Sequence, residues 1–193
     1  MPRVKCLRLA GALVLLSYVP AAAQALVLAN LDGTAVRPFE SRAPAFIFVF
    51  SRTDCPVAGR YAPYFERLQH RLAADGMDFA LVFVDPSESG EVIRAYLRDF
   101  GYTGRALRDP DHALVRLAGA TTTPEAAVFV RHATEPTLVY RGRIDDRYVD
   151  IGRTRPAPTR HDLDEVIAAI RSGRTPALRS TPAVGCLIAD VSR

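Results

Sequence analysis

The sequence predicts an α/β fold: a central mixed β-sheet flanked by helices on both faces, with an irregular C-terminal tail. Three patterns carry that prediction. Residues 45–50 and 79–84 are near-continuous apolar runs, the composition of strands buried on both faces. Each is followed by a segment with helical periodicity, the alternation that builds a covered sheet. A third apolar run at 126–130 is followed, across a polar loop, by a fourth at 138–141, which reads as a hairpin. With 193 residues and 49% hydrophobic content, the chain can bury one sizeable core.

The first 23 residues stand apart. Arg3, Lys5 and Arg8 precede the apolar stretch 9–19, and Ala21, Ala22 and Ala23 offer small residues for cleavage, the order of a secretory signal peptide. An uncleaved anchor is the alternative, but the stretch is short beside the ~20 residues that a spanning helix needs. The organisation expected is a signal peptide over 1–23, a domain over 24–173 and a tail over 174–193. The cleaved protein is then exported, periplasmic or extracellular, with no membrane span. Cleavage also lowers the formal charge from +4 to +1, with 22 basic residues against 21 acidic. The arginines are dispersed and no basic-aromatic stripe occurs, so no nucleic acid is expected as partner. Lys5 is the only lysine, which removes a Walker A lysine and a Schiff-base lysine from the cleaved chain.

Taken in order, residues 25–28 read as a short strand before a turn at Asp32-Gly33-Thr34. After strand 45–50, Pro56 suits the first helical position. Tyr61, Phe65, Leu68 and Leu72 then follow at spacings of four, three and four, one face of a helix that Asp75-Gly76 stops. Strand 79–84 ends at Asp85-Pro86. Val92, Tyr96 and Phe100 give the apolar face of a second helix, closed by Gly101. A turn at Asp109-Pro110-Asp111 leads to a short helix over 112–117 that ends near Gly119. Thr121-Thr122-Thr123-Pro124 opens the hairpin. Residues 144–158 read as irregular, with Asp145-Asp146-Arg147 as a charged turn. Thr159 and Asp162 have capping-box spacing, and Leu163, Val166, Ile167 and Ile170 line the last helix, which Gly173 ends. Strand–helix–strand–helix, then a hairpin, then a helix is the order of the thioredoxin-like fold.

Of three cysteines, Cys6 lies in the signal, leaving Cys55 and Cys186. An even pair in an exported chain favours a disulfide, stable or cycling. Cys55 follows Ser51-Arg52-Thr53-Asp54 at a strand-to-helix turn. There it faces the positive end of the helix dipole and unpaired N–H groups, which favour the nucleophilic thiolate. The expectation is a sulfur ionised and open to solvent; the alternative is an inert buried cysteine. Asp54 opposes ionisation, and Arg52 and Arg60 are candidates to offset it unless they are simply solvated. Cys186 lies 13 residues beyond Gly173, a reach of up to ~45 Å when extended. It is the candidate resolving partner of Cys55; a free tail thiol and an intermolecular bond are the alternatives. His70, His112, His132 and His161 lack zinc-type spacing, and neither metal nor cofactor is expected.

Several segments resemble the redoxin family, the peroxiredoxin and thioredoxin-like proteins of the alkyl hydroperoxide reductase/thiol-specific antioxidant type. Asp32-Gly33 with residues 36–39 resembles the family's opening strand and turn. Phe48-Val49-Phe50 before Thr53-Asp54-Cys55-Pro56 resembles its active-site strand and turn. Residues 109–117, Thr122-Thr123-Pro124 and Val128-Phe129-Val130 are similar to the segment around its cis-proline, and Tyr140-Arg141-Gly142-Arg143-Ile144-Asp145 to the hairpin that follows. The resemblance spans 26–172. Residues 55–63, 141–163 and Gly185-Cys186 are similar to an exported bacterial subgroup. The resemblance implies that Pro124 is cis and that the Thr123 backbone turns toward Cys55, forming a groove for an extended thiol substrate. Two departures stand out. Phe48 and Arg52 occupy the positions seven and three before Cys55, so the peroxidatic P-x-x-x-(T/S)-x-x-C motif is absent, and Cys55 opens no C-x-x-C.

The first functional reading is therefore an exported thiol–disulfide oxidoreductase. Cys55 is its nucleophile, Cys186 resolves it, its partner is a protein or small-molecule thiol or disulfide, and an external reductant resets the pair. The alternatives are a thiol peroxidase of the same fold, disfavoured by Arg52, a copper metallochaperone with Cys186 completing a thiolate site, and a non-enzymatic binding module.

Overall fold

The computed structural model describes residues 26–132 and 135–189; the signal peptide read in residues 1–23 lies outside them. The chain opens with β1 (Leu28–Asn30) and β2 (Ala35–Val36), then β3 (Ala45–Ser51), α1 (Pro56–Ala74), β4 (Asp78–Phe83) and α2 (Gly90–Asp99). There follow β5 (Ala106–Arg108), α3 (Ala113–Ala118), β6 (Thr122–Thr123), β7 (Glu125–His132) and β8 (Glu135–Gly142). A ribbon of β9 (Tyr148–Asp150) and β10 (Arg153–Thr154) precedes α4 (Asp162–Arg171), and the tail carries β11 (Arg179–Ser180) and β12 (Cys186–Leu187).

The main sheet runs β11-β8-β7-β3-β4-β5-β1-β2. It is mixed: β3 is parallel to β4 and antiparallel to β7, and β4 is parallel to β5. Strand β3 sits in its middle, and all seven of its residues are buried. Its side chains alternate between two cores, as the two-residue strand period requires. Ala45, Ile47 and Val49 join Phe65, Leu68 and Leu72 of α1, Ile93 and Leu97 of α2, and Leu163, Val166 and Ile167 of α4. Phe46, Phe48 and Phe50 point to the other face, against Leu114, Val115 and Ala118 of α3. There Phe39 packs edge-on against Phe46, Phe48 and Phe129. A sheet with helices on both faces is thus what the apolar runs produce.

Several local expectations change. The buried stripe of α2 is Ile93 and Leu97, whereas Val92 and Phe100 are 50% and 44% exposed. The spacing 92, 96, 100 is helical, but the neighbouring register 93, 97 is the one turned to the sheet. The capping box does not form. Thr159 donates its N–H and hydroxyl to Asp146, while the Asp162 carboxylate is taken by Arg143 (2.7 Å) and Arg179. The Asp145-Asp146-Arg147 turn is built on buried acids. Asp145 accepts from the Tyr61 hydroxyl (2.5 Å) and Asp146 from the Thr159 and Arg160 N–H groups. The tail carries two short strands: β11 extends the sheet edge parallel to β8, and β12 pairs with β6. No helix among the described residues is long and apolar enough to cross a membrane.

Candidate redox site

Strand β3 delivers the chain at Ser51 to a turn that makes Cys55 the N-cap of α1, with Pro56 at the first helical position. The Cys55 backbone is extended (φ −87°, ψ 107°), as an N-cap residue should be. Its side chain makes no capping hydrogen bond to the helix amides. Instead the sulfur lies 3.1 Å from the Thr123 carbonyl oxygen, to which the thiol donates. Cys55 is only 1% exposed, so the expectation of a solvent-open sulfur is overturned. Cys55 belongs to the buried core cluster, and the tail forms part of its cover. Cys186 Sγ lies 2.7 Å from Cys55 Sγ, and Val184 and Cys186 pack on the same core cluster. That separation is above the 2.03–2.05 Å of a disulfide bond, and both cysteines are free in this structure.

The tail reaches the site as an added strand. Strand β12 pairs antiparallel with β6, placing Cys186 opposite Thr123 and Leu187 opposite Thr122. The Ile188 N–H continues the ladder to the Thr121 carbonyl (2.9 Å), and Thr123 Oγ1 donates to the Cys186 carbonyl (3.4 Å). The Thr123–Pro124 peptide bond is cis. Upstream, the tail is moored to the domain by the Thr181 N–H on the Arg141 carbonyl, by Thr181 Oγ1 against the Tyr140 hydroxyl, and by Arg179 on Asp162.

The charges around the turn are partly cancelled. Arg52 pairs with both Asp54 (2.8 Å) and Asp85 (2.9 Å), so its guanidinium offsets the carboxylate next to Cys55. Arg60 lines a separate cleft of about 590 Å³ with Tyr64, Arg67, Arg147 and Tyr148. Burial, then the adjoining Cys55 sulfur, pushes the Cys186 thiol above the ordinary thiol range. Two groups that carry no sequence signal also belong to the surroundings. Glu88 is buried and accepts from the Thr53 N–H (2.6 Å) and hydroxyl (2.7 Å), while its Oε2 has no partner; burial pushes its carboxyl up. Tyr96 is half-buried, and burial, then the neighbouring Cys55, pushes its hydroxyl up to about 12. Glu88 sits in an ordinary polar loop, Pro86-Ser87-Glu88-Ser89, and nothing in that pattern marks it. Among the described residues no cluster of three or more His, Cys, Asp or Glu side chains is placed to hold a metal ion. His112, for one, bonds the Val84 carbonyl through Nε2 at 2.8 Å.

No protein-family model matches the chain, and no curated protein matches it. Solved structures do. A hypothetical protein of Sinorhizobium meliloti 1021 is 23% identical with a TM-score of 0.70, over 87% of this chain and 92% of its own. An uncharacterized conserved protein of Geobacillus kaustophilus is 23% identical with a TM-score of 0.71, over 86% and 89%. A secreted disulfide oxidoreductase of Mycobacterium tuberculosis, homologous to E. coli DsbE, is 13% identical with a TM-score of 0.52, over 78% and 97%. With a thioredoxin-like protein of Aeropyrum pernix also among the neighbours, the chain has a thioredoxin-like fold.

Proposed function

We propose that the protein is an exported thiol–disulfide oxidoreductase whose redox pair is Cys55 and Cys186. The observation that carries this reading is the 2.7 Å separation of the two sulfurs, 131 residues apart in sequence, beside the cis peptide bond before Pro124. In the proposed cycle the tail strand lifts and the Cys55 thiolate attacks one sulfur of a partner disulfide. The other partner sulfur leaves with the electron pair, and Cys55 is held in a mixed disulfide. The tail returns, and Cys186, having given its proton to solvent, attacks the Cys55 sulfur and expels the second partner thiolate. The partner has gained two electrons, and the chain holds a Cys55–Cys186 disulfide, which an external dithiol reduces. Thr123 and Pro124 form the floor on which the exchanging segment lies. Arg52, by engaging Asp54 and Asp85, limits the negative charge facing Cys55.

The signal-peptide pattern in residues 1–23 supports export to a compartment where such a pair can cycle, and the quoted motifs support placement among redoxins of the alkyl hydroperoxide reductase/thiol-specific antioxidant type. Intact-mass analysis after alkylation tests the reading. Oxidised protein should accept no label on Cys55 or Cys186 until reduced, and two labels afterwards. Two free thiols under oxidising conditions reject it.

A further inference from the structure

The groove beside Cys55 is occupied by the chain's own residues 184–188, and their fit shows what that groove accepts. The cysteine of this segment lies opposite Thr123, with its sulfur against Cys55. The residue before it is Gly185. A Cβ built there would overlap the carbonyl oxygen of Thr123 and come within 3.2 Å of Pro124 Cδ. The Thr123 obstacle is main chain that runs directly into β7 of the main sheet, so it cannot swing aside as a side chain would. The residue after the cysteine, Leu187, is 75% exposed and touches no wall that would select it. The next, Ile188, is 7% exposed, packs into the phenylalanine-rich core cluster and donates its N–H to Thr121. A strand in this groove is therefore read at two places. The position before the cysteine must lack a side chain, and the second position after it must be apolar.

We infer that the redox site selects partners presenting an extended Gly-Cys-x-apolar segment, which competes with the tail for the edge of Thr122–Thr123. The inference rests on the proposed reading of Cys55 as a reactive thiol. Recognition of this kind is strand addition, in which main-chain hydrogen bonds supply affinity and alternate side chains supply specificity.

The test uses three full-length variants, each checked by circular dichroism for an intact fold. Cys186→Ser keeps the tail strand; Gly185→Ala with Cys186→Ser places a methyl group against the Thr123 carbonyl and ejects it. Iodoacetamide should label Cys55 at least about tenfold faster in the double variant, a change scaled to losing a well-packed contact, whereas Leu187→Ser with Cys186→Ser should match Cys186→Ser within about twofold. The double variant, its groove vacated, is then given acetyl-Val-Gly-Cys-Leu-Ile-amide whose cysteine carries 5-thio-2-nitrobenzoate. Cys55 thiolate attacks the peptide sulfur, the peptide–thionitrobenzoate bond breaks, and the coloured thiolate leaves with the electron pair. Replacing the peptide glycine by alanine should slow release by about tenfold or more, and isoleucine by serine by roughly tenfold, the effect of losing one buried apolar side chain; leucine by serine should leave it unchanged. Equal rates for all peptides, with Cys55 still reacting, overturn the selectivity and leave the oxidoreductase reading intact. No release from the peptides or from 5,5′-dithiobis(2-nitrobenzoate) overturns both. Equal alkylation in all the variants overturns the assignment of the tail as the groove's occupant.

Discussion

Oxidising the Cys55–Cys186 pair should stabilise the fold by an amount that follows from where the two residues lie. The bond would close a loop spanning 131 residues, nearly the whole described domain. In the chain-entropy model, cross-linking a loop of that size removes conformational freedom from the unfolded chain equivalent to about 5 kcal/mol at 25 °C. The native side should offset little of this, because the tail strand is already paired with β6 and moored by Arg179, so the folded backbone need not move far to make the bond. For a domain of this size each kcal/mol moves the melting midpoint by about 2–4 °C, so the oxidised form should melt about 10–20 °C above the reduced one. By the same cycle folding favours the disulfide over the dithiol by a factor of roughly 10³–10⁴ in exchange with a small dithiol. Circular dichroism melts with and without a phosphine reductant give the comparison, with Cys186→Ser as control. The control should melt with the reduced protein and be insensitive to reductant. Oxidised and reduced forms melting within about 2 °C, with the disulfide verified by mass, would refute the loop argument.

Two further predictions concern the supports of the site. Asp162, fully buried, takes both Arg143 and Arg179; because both arginines are partly exposed and can rehydrate, Asp162→Asn should cost about 2–3 kcal/mol in urea unfolding, the low end for breaking a buried pair. A loss under about 0.5 kcal/mol would show that the mooring carries no energy. Glu88 binds its proton more tightly folded than unfolded, since burial raises its carboxyl above the ordinary glutamate value of 4.5. Its ionisation therefore lowers stability progressively as pH rises above about 4.5, with the penalty complete beyond its folded value. Glu88→Gln retains an acceptor for Thr53 and removes that penalty, so its urea midpoint should gain on the parent's between pH 4 and pH 7.5, and a constant difference across that range would contradict the assignment.

The features legible in the sequence were those whose physics is local. Strand β3 announces itself because burial on both faces demands apolar residues at every position, and 45–50 has them. Helix α1 does so through the three-and-four spacing of Tyr61, Phe65, Leu68 and Leu72, all buried. Helix α2 shows where periodicity stops helping. Residues 92, 96 and 100 and residues 93 and 97 are both acceptable helical faces, and only packing against the sheet decides for the second. Thr159 and Asp162 have the spacing of a capping box, yet each meets a partner 13 to 19 residues away that satisfies it better. Strands β11 and β12 are two residues each and have no periodicity of their own; they exist because distant edges offer them hydrogen bonds. Gly185 enters the sequence reading only as part of the Gly185-Cys186 pair of the resemblance, and nothing local shows that the position must lack a side chain. Its constraint comes from Thr123, 62 positions earlier.

The burial of Cys55 follows the same logic, and it bears on the chemistry. A cysteine sealed by the core it belongs to is inert, since exposing it means unfolding the domain. Here one side of the sulfur is covered by the two-residue strand β12, which under the proposed cycle leaves while the main sheet stays folded. What holds that strand is the buried side chain of Ile188, the partly buried Val184 and Cys186, a short ladder beginning at Thr123, and the moorings upstream at Thr181 and Asp162. Burying Ile188 is worth about 1.5–3 kcal/mol, each net hydrogen bond roughly 1 kcal/mol, and ordering the tail backbone offsets part of the sum. The remainder is a few kcal/mol, a local opening well below the cost of global unfolding. An open fraction on the order of 10⁻²–10⁻³ lowers the apparent reactivity of Cys55 by that factor without abolishing it. The lid is also the strand that carries Cys186. Under the proposed cycle, the motion that admits a partner therefore removes the resolving thiol, and its return both expels the product and closes the site, so exchange and resolution occupy the same edge in turn.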